Sequence, residues 1–511
     1  MDVKPWLLLT AAILAGCSDD DHQTHNNSVK FDVIDNQEFT LNPIQNDSNP
    51  DLESFSWTQT CGSISIIPSD TSQTVNLTLT APKLDNDEEY CFQFKGTSKN
   101  GDQYSTDAKV SVVSPSLEVY VDHASLPSLH QVLDIIASAE AHPTAERYVS
   151  WGRINPTQEH LAQLNISRFP LESNHTSAEM LEAISAFAED HHRLKVSIST
   201  NTLKSYDNLK LMLQRLHKQP HVDIDNIRLY DDGSAEYVNL YNWRNTQDKT
   251  YLLQQAGDNL KNIILGSGGS SAPWLTTQFN WHSLYPTEYS MLRSDFLTLD
   301  PKLHELKEYL GDSLKQMQWD KYAKLSSEQQ ALFLEIVGFD QNWLQVEYDK
   351  SPLANFVFTG TTTWAGGEEK EFYAKQQVNI INNAINETSP YYIGKEHDLF
   401  FKGHPRGGVI NDIIISSFDN MVNIPSAISF EVLMMTDMLP DTIAGVASSL
   451  YFTIPAENIK FIVFTSSEEI TDREQALKSP LVQVMMTLGI VKEENVLFWA
   501  DMPDCSSGTC I

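Results

Sequence analysis

At 511 residues the chain is too long for one ordinary core of on the order of 100–200 residues, so about three globular units are expected. Hydrophobic residues at 41% and aromatics at 10% exclude a disordered chain. A net charge of −33 opposes broad contact with phosphate backbones, which removes nucleic acid as a partner; a solvated acidic surface accounts for the charge.

Lys4 precedes the apolar run Trp6 to Ala15, and small residues follow in Leu14-Ala15-Gly16-Cys17. This is the plan of a secretory signal, too short to span a bilayer as a mature helix. Leu-Ala-Gly-Cys resembles a bacterial lipoprotein signal. Residues 1–17 are then the signal peptide, and the resemblance implies a lipid on Cys17 and an exported protein anchored to a membrane of the bacterial envelope. An ordinary cleaved signal with an incidental Cys is the alternative. Residues 18–28, with Asp19-Asp20-Asp21 and Asn26-Asn27, read as a tether. If Cys17 bears lipid, the remaining cysteines pair as Cys61 with Cys91 and Cys505 with Cys510, which fits an oxidising compartment. A metal at Cys505 and Cys510 would lack a second thiol pair or a nearby His, so a small disulfide loop is expected there.

Residues 29–114 hold short alternating runs such as Thr74 to Thr80 and Ala108 to Val113, separated by turn clusters like Asn100-Gly101-Asp102. The pattern predicts an immunoglobulin-like β-sandwich, serving as a spacer or a glycan-binding module. Trp57, Cys61 and Cys91 loosely fit a Cys and Trp core, although Tyr90 directly precedes Cys91 where an immunoglobulin domain has its Tyr two residues before.

Beyond Ser114-Pro115-Ser116, strands at Leu117 to Val121, Arg147 to Trp151, Arg193 to Ile198 and Val222 to Tyr230 alternate with amphipathic stretches. Parallel βαβ units are implied. A helical region follows, with Pro301 to Met317 and a helix opened by the capping box Ser326-Ser327-Glu328-Gln329. Gly266-Ser267-Gly268-Gly269-Ser270-Ser271 lacks the ending of a phosphate loop and reads as a surface loop or lid. A second series contains Phe356-Val357-Phe358, Leu399-Phe400-Phe401, Phe461 to Phe464 and Val496 to Trp499. The fold class is therefore α/β, with two doubly wound domains and a cleft between them. No repeat of 20 to 50 residues is visible, which argues against a solenoid.

Asp231-Asp232 in Tyr230-Asp231-Asp232-Gly233 stands where a predicted strand ends, the edge at which open α/β sheets place ligands. His404, within Lys402-Gly403-His404-Pro405-Arg406-Gly407-Gly408, follows another buried strand and has cations on both sides, which suits a general acid beside phosphate. Ser448-Ser449 offer hydroxyls to phosphate oxygens or act as a helix cap. Glu431, at the start of an apolar helix, either complements the helix dipole or accepts from a sugar hydroxyl. Trp364, after Gly360-Thr361-Thr362-Thr363, could stack on a base or sugar or pack between domains.

These motifs in order, with Ser429-Phe430-Glu431-Val432-Leu433-Met434-Met435 and Ser234 to Arg244, resemble bacterial sialyltransferases of glycosyltransferase family 80, over about Leu117 to Trp499. The marine-bacterial members that form α2,6 linkages to galactosides are the most similar. The resemblance implies a GT-B arrangement of two Rossmann-like domains, with 115–358 plus 491–511 on the acceptor side and 359–490 on the donor side. It also implies inverting transfer of sialic acid from CMP-sialic acid to a galactoside or lactose-type acceptor, without a metal or other cofactor. In those terms Asp231 is the general base and His404 the general acid. Ser448 and Ser449 are phosphate ligands, Lys402 and Glu431 nucleotide contacts, and Asn174 a donor contact; Gly360, Thr361 and the mobile Trp364 belong to the same substrate-binding set. Lys204 stands where relatives carry a His near the donor. The same motifs occur in α2,3-forming members. A transferase using another nucleotide sugar and a non-catalytic glycan-binding surface lipoprotein are the remaining alternatives.

Overall fold

The computed structural model describes residues 24–44, 51–68, 74–268, 278–350, 353–362, 367–394, 397–465, 470–505 and 510; Cys17, Trp364 and the Gly-rich stretch beyond Gly268 lie outside them. One unit comprises Met1–Leu117 with His142–Ala145 and His191–Lys195, and a second comprises the rest. Among the described residues no helix is long and apolar enough to cross a membrane.

The first unit holds strands β1 (Thr24–Ile34), β2 (Glu38–Leu41), β3 (Leu52–Cys61), β4 (Leu77–Thr80), β5 (Glu88–Ser98) and β6 (Gln103–Val113). They form a four-stranded sheet ordered β1-β6-β5-β3 and a two-stranded sheet β2-β4. Alternation along β5 turns Tyr90, Phe92 and Phe94 inward, where they meet Leu41, Trp57, Leu77 and Leu79. The sandwich is thus as expected, with two corrections. Thr24 to Ser28 is not tether but the first half of β1, paired in parallel with Gln103 to Asp107, because a backbone ladder tolerates polar side chains at a sheet edge. Cys61 and Cys91 are bridged, with Cα atoms 4.7 Å apart, but they are register partners on neighbouring strands of one sheet, whereas an immunoglobulin disulfide joins two sheets. Trp57 is buried and gives its indole N–H to the Val75 carbonyl at 2.9 Å. Cys505 and Cys510 also pair.

The second unit contains two sheets. In the first, β7 (Ser116–Asp122), β8 (Glu146–Trp151), β9 (Ile166–Arg168), β12 (Leu194–Asn201), β13 (Val222–Tyr230), β14 (Thr287–Met291) and β15 (Leu314–Gln316) lie in the order β15-β14-β13-β12-β7-β8-β9, while β10 (Leu171–Glu172) and β11 (His175–Thr176) form a separate hairpin. The second sheet has β16 (Ala354–Thr359), β17 (His397–Lys402), β18 (Val422–Ile424), β19 (Thr442–Val446), β20 (Ile459–Phe464) and β21 (Val496–Phe498) in the order β18-β17-β16-β19-β20-β21, every neighbouring pair parallel. In each sheet the chain order reverses once, between β7 and β12 and between β16 and β19. Such reversals open the crevice where doubly wound sheets bind ligands.

The domain bounds need revision. Residues 354–358 supply the core of a central strand of the second sheet, and Val496 to Phe498, placed in the first domain by the sequence reading, pair with Ile462 to Phe464. Both runs find parallel partners for their backbone groups in the second sheet. The segment that returns to the first domain is the helix Pro480–Thr487, which packs on the helices Ser234–Trp243 and Phe296–Leu299; Arg293 also donates to the Leu488 carbonyl at 3.1 Å. The capping box at Ser326 forms, with Gln329 returning the bond. Pro301 to Met317 is not one helix: Gly311, at φ +50°, ends the helix His304–Leu310, and β15 follows.

The end of β13 is pinned from beneath. Asp134, on the helix Ser125–Ser138, accepts from Arg228 at 2.8 Å, from Lys321 at 2.5 Å and from the Tyr230 hydroxyl. Burial pushes the Asp134 carboxyl up, but His130, Arg228 and Lys321 outweigh it and hold it well below the usual carboxylate range. A depressed folded-state value means stability present above the ordinary carboxylate range and lost as pH falls through and below it. Asp134→Ala, which strands these cations, is expected to lower unfolding free energy by roughly 3–5 kcal/mol in urea melts at neutral pH, with a smaller difference from wild type in acid.

Candidate active site

Three adjacent strands of the first sheet, β7, β12 and β13, end in or are followed by the polar side chains Asp122, Asn201 and Asp231, at and beside its point of reversal. Asp122 ends β7 and is 1% exposed; one carboxylate oxygen accepts from the Ala124 amide and from Asn201 Nδ2, each at 2.9 Å. Its other oxygen is buried without a partner among the described residues. Burial, only partly offset by these bonds, raises Asp122 to about 7.

Asp231, after β13, is fully buried. Its Oδ1 accepts from the Gly233 amide at 2.6 Å, and its Oδ2 from the Leu292 amide at 3.1 Å and from the Tyr237 hydroxyl. Burial raises this carboxyl to about 6 against the pull of those donors, which leaves it ionised at neutral pH yet basic enough to take a proton. Asp232 is pushed well above the usual range by burial and by the Asp122 and Asp231 charges, with Lys204 opposing. The two neighbours are therefore electrostatically unequal.

The second sheet contributes the facing loops. Gly360 donates to the Lys402 carbonyl at 3.0 Å, and a Cβ on it would sit 2.9 Å from the Phe401 ring, so glycine is required for this approach. Thr361 is clasped by Gln377, which accepts from its amide at 2.9 Å. Lys402 is buried and donates to the Ser426 carbonyl at 2.9 Å; burial lowers it to about 8, with Glu431 opposing. Glu431 is buried and accepts from the Ser429 and Thr453 hydroxyls. The Arg406 amide donates to His404 Nδ1 at 3.1 Å, so this ring nitrogen is engaged by the loop's own backbone. Burial first, then Arg153, Arg406 and Lys402, hold His404 below its ordinary value. Asn411 fixes this loop by donating to the His404 carbonyl at 3.0 Å. Ser448 occupies the cap position of the short helix Ser449–Phe452, but its side chain makes no cap bond, so the plain capping role does not account for it.

The two rims meet at Gly233. Its φ is +94°, and a Cβ there would lie 2.9 Å from Ser449 Cβ. Beside this contact the Tyr237 ring stacks on Phe452, centroids 4.8 Å apart. Gly360 and Thr361 follow β16, and Ser448 and Ser449 follow β19, the two strands that flank the second reversal; Lys402 ends and His404 follows the adjacent β17, Glu431 is tied to Thr453 just after the Ser449 helix, and Asp231 follows β13, one strand from the first reversal. Asn174 stands apart on the exposed tip of the β10–β11 hairpin, where positive φ at Ser173 and Asn174 (50° and 67°) explains its type; among the described residues no hydrogen bond ties it to the Asp231 or His404 loops. Sequence reasoning missed Asp122, Asn201, Tyr237 and Arg153. For Asp122 a signal was present, since it too is an acid ending an apolar run. Among the described residues, one group of three side chains has metal-ligand spacing, Cys61, Glu89 and Cys91, and its thiols are joined as a disulfide.

The family model Sialyltransferase PMO188 matches residues 117–494, and a PKD domain model matches residues 30–112. A 2,6-sialyltransferase from Photobacterium sp. JT-ISH-224, solved with the donor product CMP and the acceptor substrate lactose, is 57% identical, with 95% of this chain and 99% of that one covered and a TM-score of 0.90. A sialyltransferase from Photobacterium damsela is 54% identical over 93% and 100% of the two chains, TM-score 0.84. The alpha/beta-galactoside alpha-2,3-sialyltransferase of Photobacterium phosphoreum is 32% identical over 76% and 99%, TM-score 0.66. A search of curated proteins gives no match.

Gly233→Ala tests the contact between the rims. Strain at positive φ and the clash with Ser449 should displace the Asp231 loop and lower turnover about 10- to 100-fold, with the circular dichroism spectrum unchanged.

Proposed function

The chain belongs to the sialyltransferase PMO188 family, and from that premise we propose that it is an inverting enzyme moving sialic acid from CMP-sialic acid to a galactoside hydroxyl, in α2,6 linkage. The observation that carries the reading is the meeting of the turn Asp231–Gly233, which holds a buried carboxylate of raised basicity, with the Ser449 turn across two Rossmann-type sheets. The linkage is favoured by the 57% identity to a 2,6-sialyltransferase against 32% to a 2,3-sialyltransferase.

In the reaction the acceptor hydroxyl attacks the anomeric carbon of sialic acid as its proton passes to Asp231. A new carbon–oxygen bond forms on one face while the bond to the CMP phosphate breaks on the other, and that bond's electron pair leaves with the phosphate. The anomeric carbon is oxocarbenium-like between the two, so base and leaving group must lie on opposite faces. Negative charge gathering on the phosphate is met by His404, through Nε2, and by the Ser448 and Ser449 hydroxyls. A phosphate beside His404 counteracts the cations that depress its proton affinity, so the imidazole gains a proton where the leaving group needs one. Lys402 and Glu431 shape the nucleotide pocket. A monophosphate leaves with less charge than a diphosphate, and these ligands suffice without a divalent ion. Asn174 is assigned to the donor by family resemblance alone.

Incubation with CMP-sialic acid and lactose in EDTA is expected to give α2,6-sialyllactose, identified by NMR; product only after Mn²⁺ is added overturns metal independence, and an α2,3 product overturns the linkage. No product with any nucleotide sugar would favour a glycan-binding protein, and insensitivity to free CMP a different donor. Asp231→Asn and His404→Ala should each lower turnover roughly 10²-fold or more. For the wild type, kcat/KM should rise with pH through about 6 as Asp231 ionises. Export with a lipid on Cys17 belongs to the same proposal, supported by residues 4–17; Cys17→Ser should then move the protein from the detergent phase to the aqueous phase, and unchanged partitioning would exclude the anchor.

A further inference from the structure

Tyr237 is neither the proposed base nor a phosphate ligand, yet its side chain touches both rims. It lies on the helix Ser234–Trp243 and is fully buried. Its hydroxyl donates to Asp231 Oδ2 and accepts from the Arg293 amide at 2.7 Å. Its ring stacks on Phe452, with 4.8 Å between centroids and 23° between planes, and meets Phe296 edge-on at 5.8 Å. Phe452 ends the short helix that begins at Ser449.

The two oxygens of Asp231 are consequently unlike. Oδ2 already has two donors, Tyr237 and the Leu292 amide, which fill its acceptor capacity in the carboxylate plane, whereas Oδ1 has the Gly233 amide alone. Resting on the function proposed above, the geometry points to Tyr237 as a positioning residue for the base: its hydroxyl occupies Oδ2, so that Oδ1 takes the acceptor proton, and its ring ties that orientation to the seat of the serine turn. A hydroxyl at this point must stay protonated to donate. Burial and the Asp231 charge push the Tyr237 phenol well above its ordinary value, so it does.

The groups facing Asp231 fix the sign of the expected pH effect. Besides Tyr237 and the two amides, they are the carboxyls of Asp232 and Glu236, both pushed well above the usual carboxylate range, first by burial and then by neighbouring carboxylates. With neighbours of that kind, the hydroxyl bond is a main contribution stabilising the ionised form of Asp231, and deleting it must raise the pKa of the carboxyl.

The test is the pH profile of kcat/KM for wild type, Tyr237→Phe, Phe452→Leu and Asp231→Asn, with melting curves for each. Tyr237→Phe keeps the ring and its stack. Its acid limb should move up by roughly one pH unit and its plateau kcat fall about 10-fold, with the KM for CMP-sialic acid within about 2-fold of wild type. Phe452→Leu keeps the hydroxyl bond; its acid limb should stay in place while plateau kcat falls and donor KM rises. An unmoved acid limb in Tyr237→Phe beside an inactive Asp231→Asn would overturn the positioning role and leave the base assignment standing. An active Asp231→Asn would remove the base assignment itself, and the positioning role with it. A limb that moves equally in Tyr237→Phe and Phe452→Leu would show a packing effect and also overturn the proposal.

Discussion

A carboxylate without water must be compensated by donors that cannot move away, and the first α/β domain is arranged around that requirement at Asp231. Two backbone amides and one phenol surround the group, and each donor is held by a separate element: the Gly233 turn, the Leu292 segment after β14 and the helix carrying Tyr237. Beneath them Asp134 grips Tyr230, the preceding residue, together with Arg228 and Lys321. The outcome is an acid that is desolvated enough to be basic and bonded enough to stay charged near neutrality. Loss of any one of these donors would shift that balance.

On the second sheet the compensation has the opposite sign. Lys402 is buried against backbone carbonyls and Glu431, and His404 sits among Arg153, Arg406 and Lys402. Cations crowded in this way hold less proton than they otherwise would, a state that an arriving phosphate relieves. One rim is thus short of positive charge and the other short of negative charge. A substrate that delivers a hydroxyl to the first and a phosphate to the second fits both deficits at once.

Most of the fold was legible because buried strands leave a simple signature. Phe356-Val357-Phe358 and Leu399-Phe400-Phe401 are covered on both faces, and their polar successors, Gly360-Thr361 and Lys402 to His404, are where a parallel sheet must present ligand groups. The same logic found Asp231 and passed over Asp122, whose strand Leu117 to Val121 was recognised without its terminal acid being weighed. Tyr237 was not legible in the same way: six positions on from Asp231, its role depends on a helix turning it back, and on Phe452 arriving from more than 200 residues away. Strand-terminal chemistry is local in sequence, whereas the groups that orient it are not. Composition misled at Thr24 to Ser28, where polar residues form an edge strand, whereas Val496 to Phe498 was read as a strand of the second series and only the domain bounds set it in the first.

The helix Pro480–Thr487 and the strand after it bear on how this architecture can be inherited. The chain leaves the first domain before β16, returns to it as a helix, and then goes back to finish the second sheet with β21. Neither domain is a continuous piece of the gene, so a recombination event that exchanged one of them at a single crossover would leave the other lacking an element it packs against. Two domains interleaved in this way are inherited together.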